Sequence, residues 1–309
     1  MGTREIVLSA VVPAVVSVVV LLIASVALGR AQRAESEEAA SSRRGPVALG
    51  ALFVLLLAGG VVLGSYAWQS EVSLWEQSVT HRVPAMALAA LAVGLAGVLT
   101  PVRRSAIGLG VLAAAGGWFV GWAVLSGLHA SLIGETERWA WIGGVGVIAG
   151  VQAWAMARGA QVLPGWRGPG LVWLVVGAGA LGATAGLANA PLVLFPIAAA
   201  AFGLAVTGLL RRDADLLAGT TPAIAVMILG VLSLSHWFGD RERWVMFGLL
   251  SAGPVAIGTA ALLAGKPTWA RLVVAGVVSL GLVGAQAAVS VPALIEASSG
   301  SGEEDYYDY

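Results

Sequence analysis

The chain has 309 residues, of which 58% are hydrophobic and only 11% charged, and its formal net charge is zero. This composition excludes an ordinary soluble domain, and the balanced charge excludes a basic surface for nucleic acid. The absence of cysteine excludes disulfides, thiolate metal ligands and cysteine nucleophiles.

Apolar runs long enough to cross the hydrocarbon core of a bilayer recur from one end of the chain to the other. Backbone amides in lipid need partners within their own segment, so these runs must be helices. We therefore predict an all-α protein, a polytopic transmembrane helix bundle of about ten spans. The predicted spans cover residues 6–29, 46–65, 83–101, 105–127, 139–157, 170–188, 191–210, 216–235, 244–264 and 271–292.

The first run is followed by Arg30 and Arg33 and is too long for the apolar core of a signal peptide, so we expect a retained span. Alternate connections, starting with the one after this span, hold most of the basic residues of the chain. They are Arg30, Arg33, Arg43, Arg44, Arg103, Arg104, Arg158, Arg167, Arg211, Arg212, Lys266 and Arg271. The positive-inside rule places these connections in the cytoplasm and both termini outside. We expect a multi-pass protein of a bacterial cytoplasmic membrane.

Two similar polar segments interrupt the apolar runs. The first polar segment is Gly134–Gly143 and contains Glu137-Arg138-Trp139, and the second is Gly239–Gly248 and contains Glu242-Arg243-Trp244. Arginine pairs precede both segments at a similar offset, so spans three to six resemble spans seven to ten. An offset of four helices keeps the orientation, which predicts a parallel internal repeat.

The repeat divides the chain into four predicted parts. Residues 1–82 hold two N-terminal spans and an outer interfacial loop, residues 83–188 the first four-helix repeat, and residues 189–297 the second. Residues 298–309 form an acidic tail that we expect to be disordered. Glycines four residues apart predict close helix contacts at Gly60 and Gly64, Gly117 and Gly121, Gly146 and Gly150, and Gly182 and Gly186.

The polar segments have a structural interpretation. Glu137 and Glu242 stand where a helix begins, and a carboxylate there favours the positive end of the helix dipole. Trp139 and Trp244 are typical of the headgroup region, where indole rings are enriched. Interfacial anchoring of helices therefore accounts for most of the pattern.

A functional interpretation rests on convergence at the outer face. If the repeat brings the two segments together, imidazoles and carboxylates would line one cleft that could relay protons or bind a cation. The candidate cluster comprises His129, Glu135, Glu137, Arg138, Trp139, His236, Asp240, Glu242, Arg243 and Trp244. The spacing specifies no set of three or four metal ligands, so we predict no metal, no cofactor and no catalytic residue.

The sequence of Gly177–Gly182 spells a dinucleotide fingerprint, but it lies inside a predicted span and no acid follows at the required distance. No ionisable residue falls at mid-membrane, which disfavours an ion-coupled transporter. We predict a non-enzymatic scaffold or small-solute permease that contacts the lipid bilayer and a membrane-protein partner but no nucleic acid. The alternative is a membrane enzyme or cation-dependent protein that uses the outward-facing histidines and carboxylates.

Overall fold

The computed structural model describes residues 11–34, 41–69, 82–126, 133–183, 190–210, 216–238 and 252–298. Within these ranges the chain is almost entirely helical and contains no strand, which confirms the all-α prediction. The second polar segment, most of the predicted interfacial loop and the acidic tail lie outside the described residues.

The described residues form ten α-helices. They are α1 (Val12–Ala34), α2 (Ser41–Gln69), α3 (Val83–Leu99), α4 (Ala106–Leu125), α5 (Glu135–Val162), α6 (Arg167–Ala183), α7 (Ala190–Leu210), α8 (Thr221–Phe238), α9 (252–258) and α10 (Thr268–Ser298). Short 3-10 helices cover Pro101–Arg104, Ala218–Thr220 and Thr259–Leu263. Each helix overlaps one predicted span.

Five of the described helices are long and apolar enough to cross a membrane. These stretches are Pro46–Tyr66, Ala106–Leu125, Glu135–Val162, Val193–Leu210 and Thr268–Ala285. The other apolar helical stretches are shorter, at 10 to 17 residues within the described ranges. The structure therefore supports a helical membrane protein with five candidate membrane-spanning helices.

Helix α8 lies at the centre of the bundle. It contacts α3, α4, α5 and α7, and every side chain from residue 221 to residue 234 is buried. A Cβ atom added at Gly230 would lie 2.8 Å from a methyl carbon of Val120 in α4. Neighbouring helices therefore cover the whole circumference of α8 from residue 221 to residue 234.

Helices α4 and α5 form an antiparallel pair held by glycines. A Cβ atom at Gly117 would lie 2.6 Å from that of Ala149, and one at Gly146 would lie 3.0 Å from the carbonyl oxygen of Ala114. Small residues allow backbones to approach where no hydrophobic force drives helices together in lipid. The predicted contacts at Gly117, Gly121, Gly146 and Gly150 are confirmed.

The helix ends beside four of the connections lie together at one end of the bundle, which we call the arginine end. The end of α3 contacts the start of α8 where Gly97 meets Gly219, and the end of α7 contacts the start of α6 where Gly208 meets Trp166. Arg271 at the start of α10 donates a hydrogen bond of 3.3 Å to the carbonyl of Val162 at the end of α5. The opposite end, where α8 finishes, is called the His236 end below.

The predicted repeat pairs α3 with α7 and α4 with α8. Under a twofold relation, the contact of α3 with α8 would be matched by a contact of α7 with α4. Helix α3 packs along α8, whereas no comparable interface joins α4 and α7 within the described residues. The internal repeat therefore stays a prediction from the sequence.

Candidate functional site

Five of the ten candidate residues lie within the described chain. Glu135, Glu137, Arg138 and Trp139 occupy the first turns of α5, and His236 occupies the last turn of α8. The other five lie outside the described residues, namely His129, Asp240, Glu242, Arg243 and Trp244. The structure therefore describes the first polar segment and the histidine that precedes the second.

The first polar segment starts helix α5. Gly134 has an extended backbone with φ −65° and ψ 152°, and its carbonyl oxygen accepts the first helical bond from the Arg138 amide at 2.9 Å. Glu135 and Glu137 are exposed in the first turn. Each carboxylate at this position stabilises a helix by about 0.3–1 kcal/mol through the dipole. The predicted placement of Glu137 at a helix start is confirmed.

Trp139 projects from α5 beside α4. Its ring is half exposed and stacks on that of Trp118, with centroids 6.4 Å apart and an interplanar angle of 25°. Next to this pair lies a pocket of about 560 Å³ between the end of α4 and the start of α5. Its lining residues are Trp122, Ser126, Ile133, Glu135, Arg138, Trp139 and Ile142. This pocket, called the ionic pocket below, is lined by one cationic side chain, one carboxylate and two indole rings.

His236 occupies a different environment. It is 7% exposed and stacks on Trp141 of α5, with ring centroids 4.9 Å apart and an angle of 17°. Trp237 meets both rings edge-on, at 5.3 Å from His236 and 5.5 Å from Trp141. The first polar segment is thus in direct contact with His236 through Trp141. The three aromatic rings join α5 to α8.

His236 and the two carboxylates have different environments within the described residues. His236 is buried among indoles and does not line the ionic pocket, whereas Glu135 and Glu137 are exposed. The described residues contain no group of three metal-ligating side chains. The convergence of His236 with His129 lies outside the described part of the chain.

Arg82 is a buried cation that the sequence patterns did not single out. It is 6% exposed, and its Nη1 donates to the carbonyl oxygen of Ala123 at 2.6 Å and to the hydroxyl of Ser126. Arg82 precedes the first residue of α3, so these bonds fasten the start of α3 to the end of α4. Desolvation lowers the pKa of Arg82, but a guanidinium stays protonated in proteins.

The position of Arg82 contained one usable signal. It directly precedes a predicted span at the end with few basic residues, as Arg138 and Arg243 do, but no acidic residue stands beside it in sequence. A lone arginine at a helix start cannot benefit from the helix dipole, so its charge needs other partners. Only the structure identifies them as groups at the end of α4.

The chain matches no family model, no curated protein and no solved structure. Function must therefore be inferred from the geometry of the helices and of the His236 end.

Proposed function

We propose that this protein is a non-enzymatic scaffold of a membrane, built from about ten spans and working as a structural component. The observation that carries the proposal is the packing of α8, whose side chains from residue 221 to 234 are all buried by protein. A solute pathway along the axis of the bundle would have to pass through this helix. A closely packed bundle without such a pathway favours a protein that supports partner proteins in the membrane.

The buried hydroxyls support the same proposal. Thr207 donates to the carbonyl of Gly203 at 2.9 Å, Thr220 to Leu217 at 2.7 Å, and Thr221 to Ala218 at 2.8 Å. Each of these bonds stays within one helix or its adjoining turn. Hydroxyls that bond locally to the backbone present no row of polar groups to a passing solute.

The alternative of a membrane enzyme or a cation-dependent protein receives less support. A general base or a cation site needs its groups within hydrogen-bonding or coordination distance of one point. Here His236 is enclosed by Trp141 and Trp237, whereas Glu135 and Glu137 are exposed. We therefore keep interfacial anchoring as the role of the first polar segment.

The proposal includes an orientation. Lysine and arginine at the arginine end favour the cytoplasm, and we propose a bacterial cytoplasmic membrane with both termini outside. The scaffold would contact lipid on its outer surface and a membrane-protein partner.

Single cysteines test both the packing and the orientation, because the chain contains no cysteine of its own. Ser233→Cys and Ala225→Cys probe buried positions of α8, whereas Thr136→Cys and Lys266→Cys probe exposed positions at the two ends. A membrane-impermeant thiol reagent is added to intact cells and then to permeabilised cells. We expect Thr136→Cys to react at once, Lys266→Cys only after permeabilisation, and the two α8 variants in neither case.

A permease gives a different result. A water-filled pathway would make the α8 cysteines react at rates close to that of Thr136→Cys, and proteoliposomes would swell faster than empty vesicles in small solutes. Either outcome would overturn the scaffold proposal. A reaction of Lys266→Cys in intact cells would overturn the orientation and leave the packing argument intact.

A further inference from the structure

A second recess lies on the surface of the bundle, between α3 and α4. This apolar groove has a volume of about 560 Å³ and is lined by alanine, glycine, valine, leucine and phenylalanine side chains. Leu88 and Phe119 line it and are both exposed, as are Ala92 and Ala115. The groove is of the size of small-molecule sites and has no polar side chain in its lining.

The ionic pocket differs from the groove in chemistry. Ser126, Glu135 and Arg138 contribute polar atoms there, and Trp122 and Trp139 supply flat apolar walls. One cation and one anion therefore face the same space. Indole rings beside charged groups are typical of the headgroup level of a membrane, where one side of the ring is apolar and the other wet.

The groove and the ionic pocket adjoin each other along α4. Phe119 lines the groove, Trp122 lines the ionic pocket one turn further on, and their ring centroids are 5.9 Å apart. Moving along α4 toward the His236 end, the surface changes from purely apolar to ionic. A lipid in the adjacent leaflet has the same order, with its acyl chains toward the membrane centre and its headgroup toward that end.

We propose that the apolar groove and the ionic pocket form one binding site for a phospholipid whose headgroup carries a phosphate and a primary ammonium. The guanidinium of Arg138 suits the phosphate because its planar fork matches two phosphate oxygens. The carboxylate of Glu135 suits the ammonium, which can donate hydrogen bonds to it. An acyl chain fills the groove beside Ala115.

Charge complementarity selects this occupant over others. A purely anionic lipid would place its charge beside Glu135, and a quaternary ammonium could donate no hydrogen bond to that carboxylate. A transmembrane helix from a partner could cover the groove, but it would bring neither a phosphate to Arg138 nor an ammonium to Glu135. The inference does not depend on the scaffold proposal, because a permease or an enzyme could bind the same lipid.

Native mass spectrometry of the full-length protein in detergent tests the selectivity. Phosphatidylethanolamine is titrated in parallel with phosphatidylglycerol and phosphatidylcholine of the same acyl chains. We expect phosphatidylethanolamine to bind roughly tenfold more tightly than the other two, the value of about one charge-assisted hydrogen bond. Equal affinity for all three lipids, or tighter binding of phosphatidylglycerol, would overturn the proposal.

Matched variants test the two recesses separately. Arg138→Gln removes the cation of the ionic pocket, and Arg158→Gln removes an exposed cation from the other end of the same helix. Ala115→Phe fills the groove, and Val111→Phe makes the same kind of addition one turn away, outside it. We expect Arg138→Gln and Ala115→Phe to weaken phosphatidylethanolamine binding roughly tenfold, and both controls to change it by less than about twofold.

Glu135→Gln gives a readout that does not depend on the total amount of folded protein. Its side chain is exposed, and the variant should retain binding while losing the preference for phosphatidylethanolamine over phosphatidylglycerol. An unchanged preference would contradict the role of Glu135. The same spectra report oligomers, and a dimer that Ala115→Phe dissociates without any effect on lipid would show that the groove is a protein interface instead.

Discussion

Helices α8 and α10 are both apolar and both rich in small residues, yet they occupy opposite environments. Helix α8 is surrounded by α3, α4, α5 and α7, and Gly230 is in close contact with Val120. Only 11% of the membrane-length window Thr268–Ala285 of α10 is buried, and a Cβ atom at Gly276 would meet nothing within 4 Å. One helix is covered by protein and the other faces outward over most of its surface.

The difference shows what hydropathy measures in a membrane protein. Lipid tails and packed side chains are similarly apolar, so a helix can satisfy its apolar surface with either. The presence of glycine does not separate the two cases either, because Gly276, Gly281 and Gly284 of α10 have open space around them. Only the neighbours of each helix distinguish a central helix from a peripheral one.

The largest effect is expected when the same side chain is added to a glycine packed against α8 and to a glycine of α10. A Cβ atom at Gly94 of α3 would lie 2.7 Å from a methyl carbon of Val54 and 2.8 Å from the Cβ of Ala223 in α8. Gly94→Val must therefore separate α3 from α2 and α8, and we expect a loss of about 3 kcal/mol in the free energy of unfolding. Unfolding by detergent titration in bicelles, followed by circular dichroism, measures this loss.

Gly276→Val is the matched control in α10. Its new side chain enters open space, and we expect the free energy of unfolding to change by less than about 0.5 kcal/mol. Similar losses for both variants would mean that α10 is packed as tightly as α8 in the membrane. The contrast between the two helices would then be wrong.

The positions of the helices could be predicted from the sequence because their cause is local. The backbone amides and carbonyls of a long apolar run in lipid must form hydrogen bonds within that run. Each predicted span therefore overlaps a helix. The glycine contact between α4 and α5 was also predictable, since these helices are joined by a short connection and small residues face each other. Both features depend on sequence neighbours.

The arrangement around His236 could not be predicted in the same way. The sequence placed this residue at an interface with water, whereas the structure buries it between Trp141 and Trp237. The contact with Trp141 joins positions 95 residues apart in sequence and depends on the packing of α5 against α8. Pairwise contacts of this range follow from the order of helices in space, which neither periodicity nor hydropathy encodes.

A smaller effect is expected where α10 is fastened to the bundle. Arg271 donates to the carbonyl oxygens of Leu263 at 3.2 Å, Val162 at 3.3 Å and Ala264 at 2.7 Å, so it satisfies the ends of two helical segments. We expect Arg271→Ala to cost about 1–2 kcal/mol and to speed hydrogen exchange at the end of α5. Lys266→Ala, at an exposed position of the same connection, is the control.

A third variant, Arg271→Lys, distinguishes the hydrogen bonds of Arg271 from a general effect of its positive charge. Arg271→Lys keeps the charge but loses the planar fork, so it should resemble Arg271→Ala. Equal exchange rates in Arg271→Ala and Lys266→Ala would show that α10 is held by lipid and not by these bonds. Helix α10 would then have no fixed position against the bundle.

The smallest effect concerns the aromatic contact between α5 and α8. Trp141 and His236 stack at 4.9 Å, and a double-mutant cycle of Trp141→Leu and His236→Leu should give a coupling of about 0.5–1.5 kcal/mol, as for other aromatic pairs. The control cycle combines His236→Leu with Trp269→Leu, because Trp269 of α10 is 69% exposed and should show no coupling with His236. Detergent titration measures all four unfolding free energies in each cycle. Equal coupling in the two cycles would show that the coupling does not come from the stacked rings of the folded protein. Zero coupling in both cycles would show that the stacking of Trp141 on His236 does not stabilise the contact of α5 with α8.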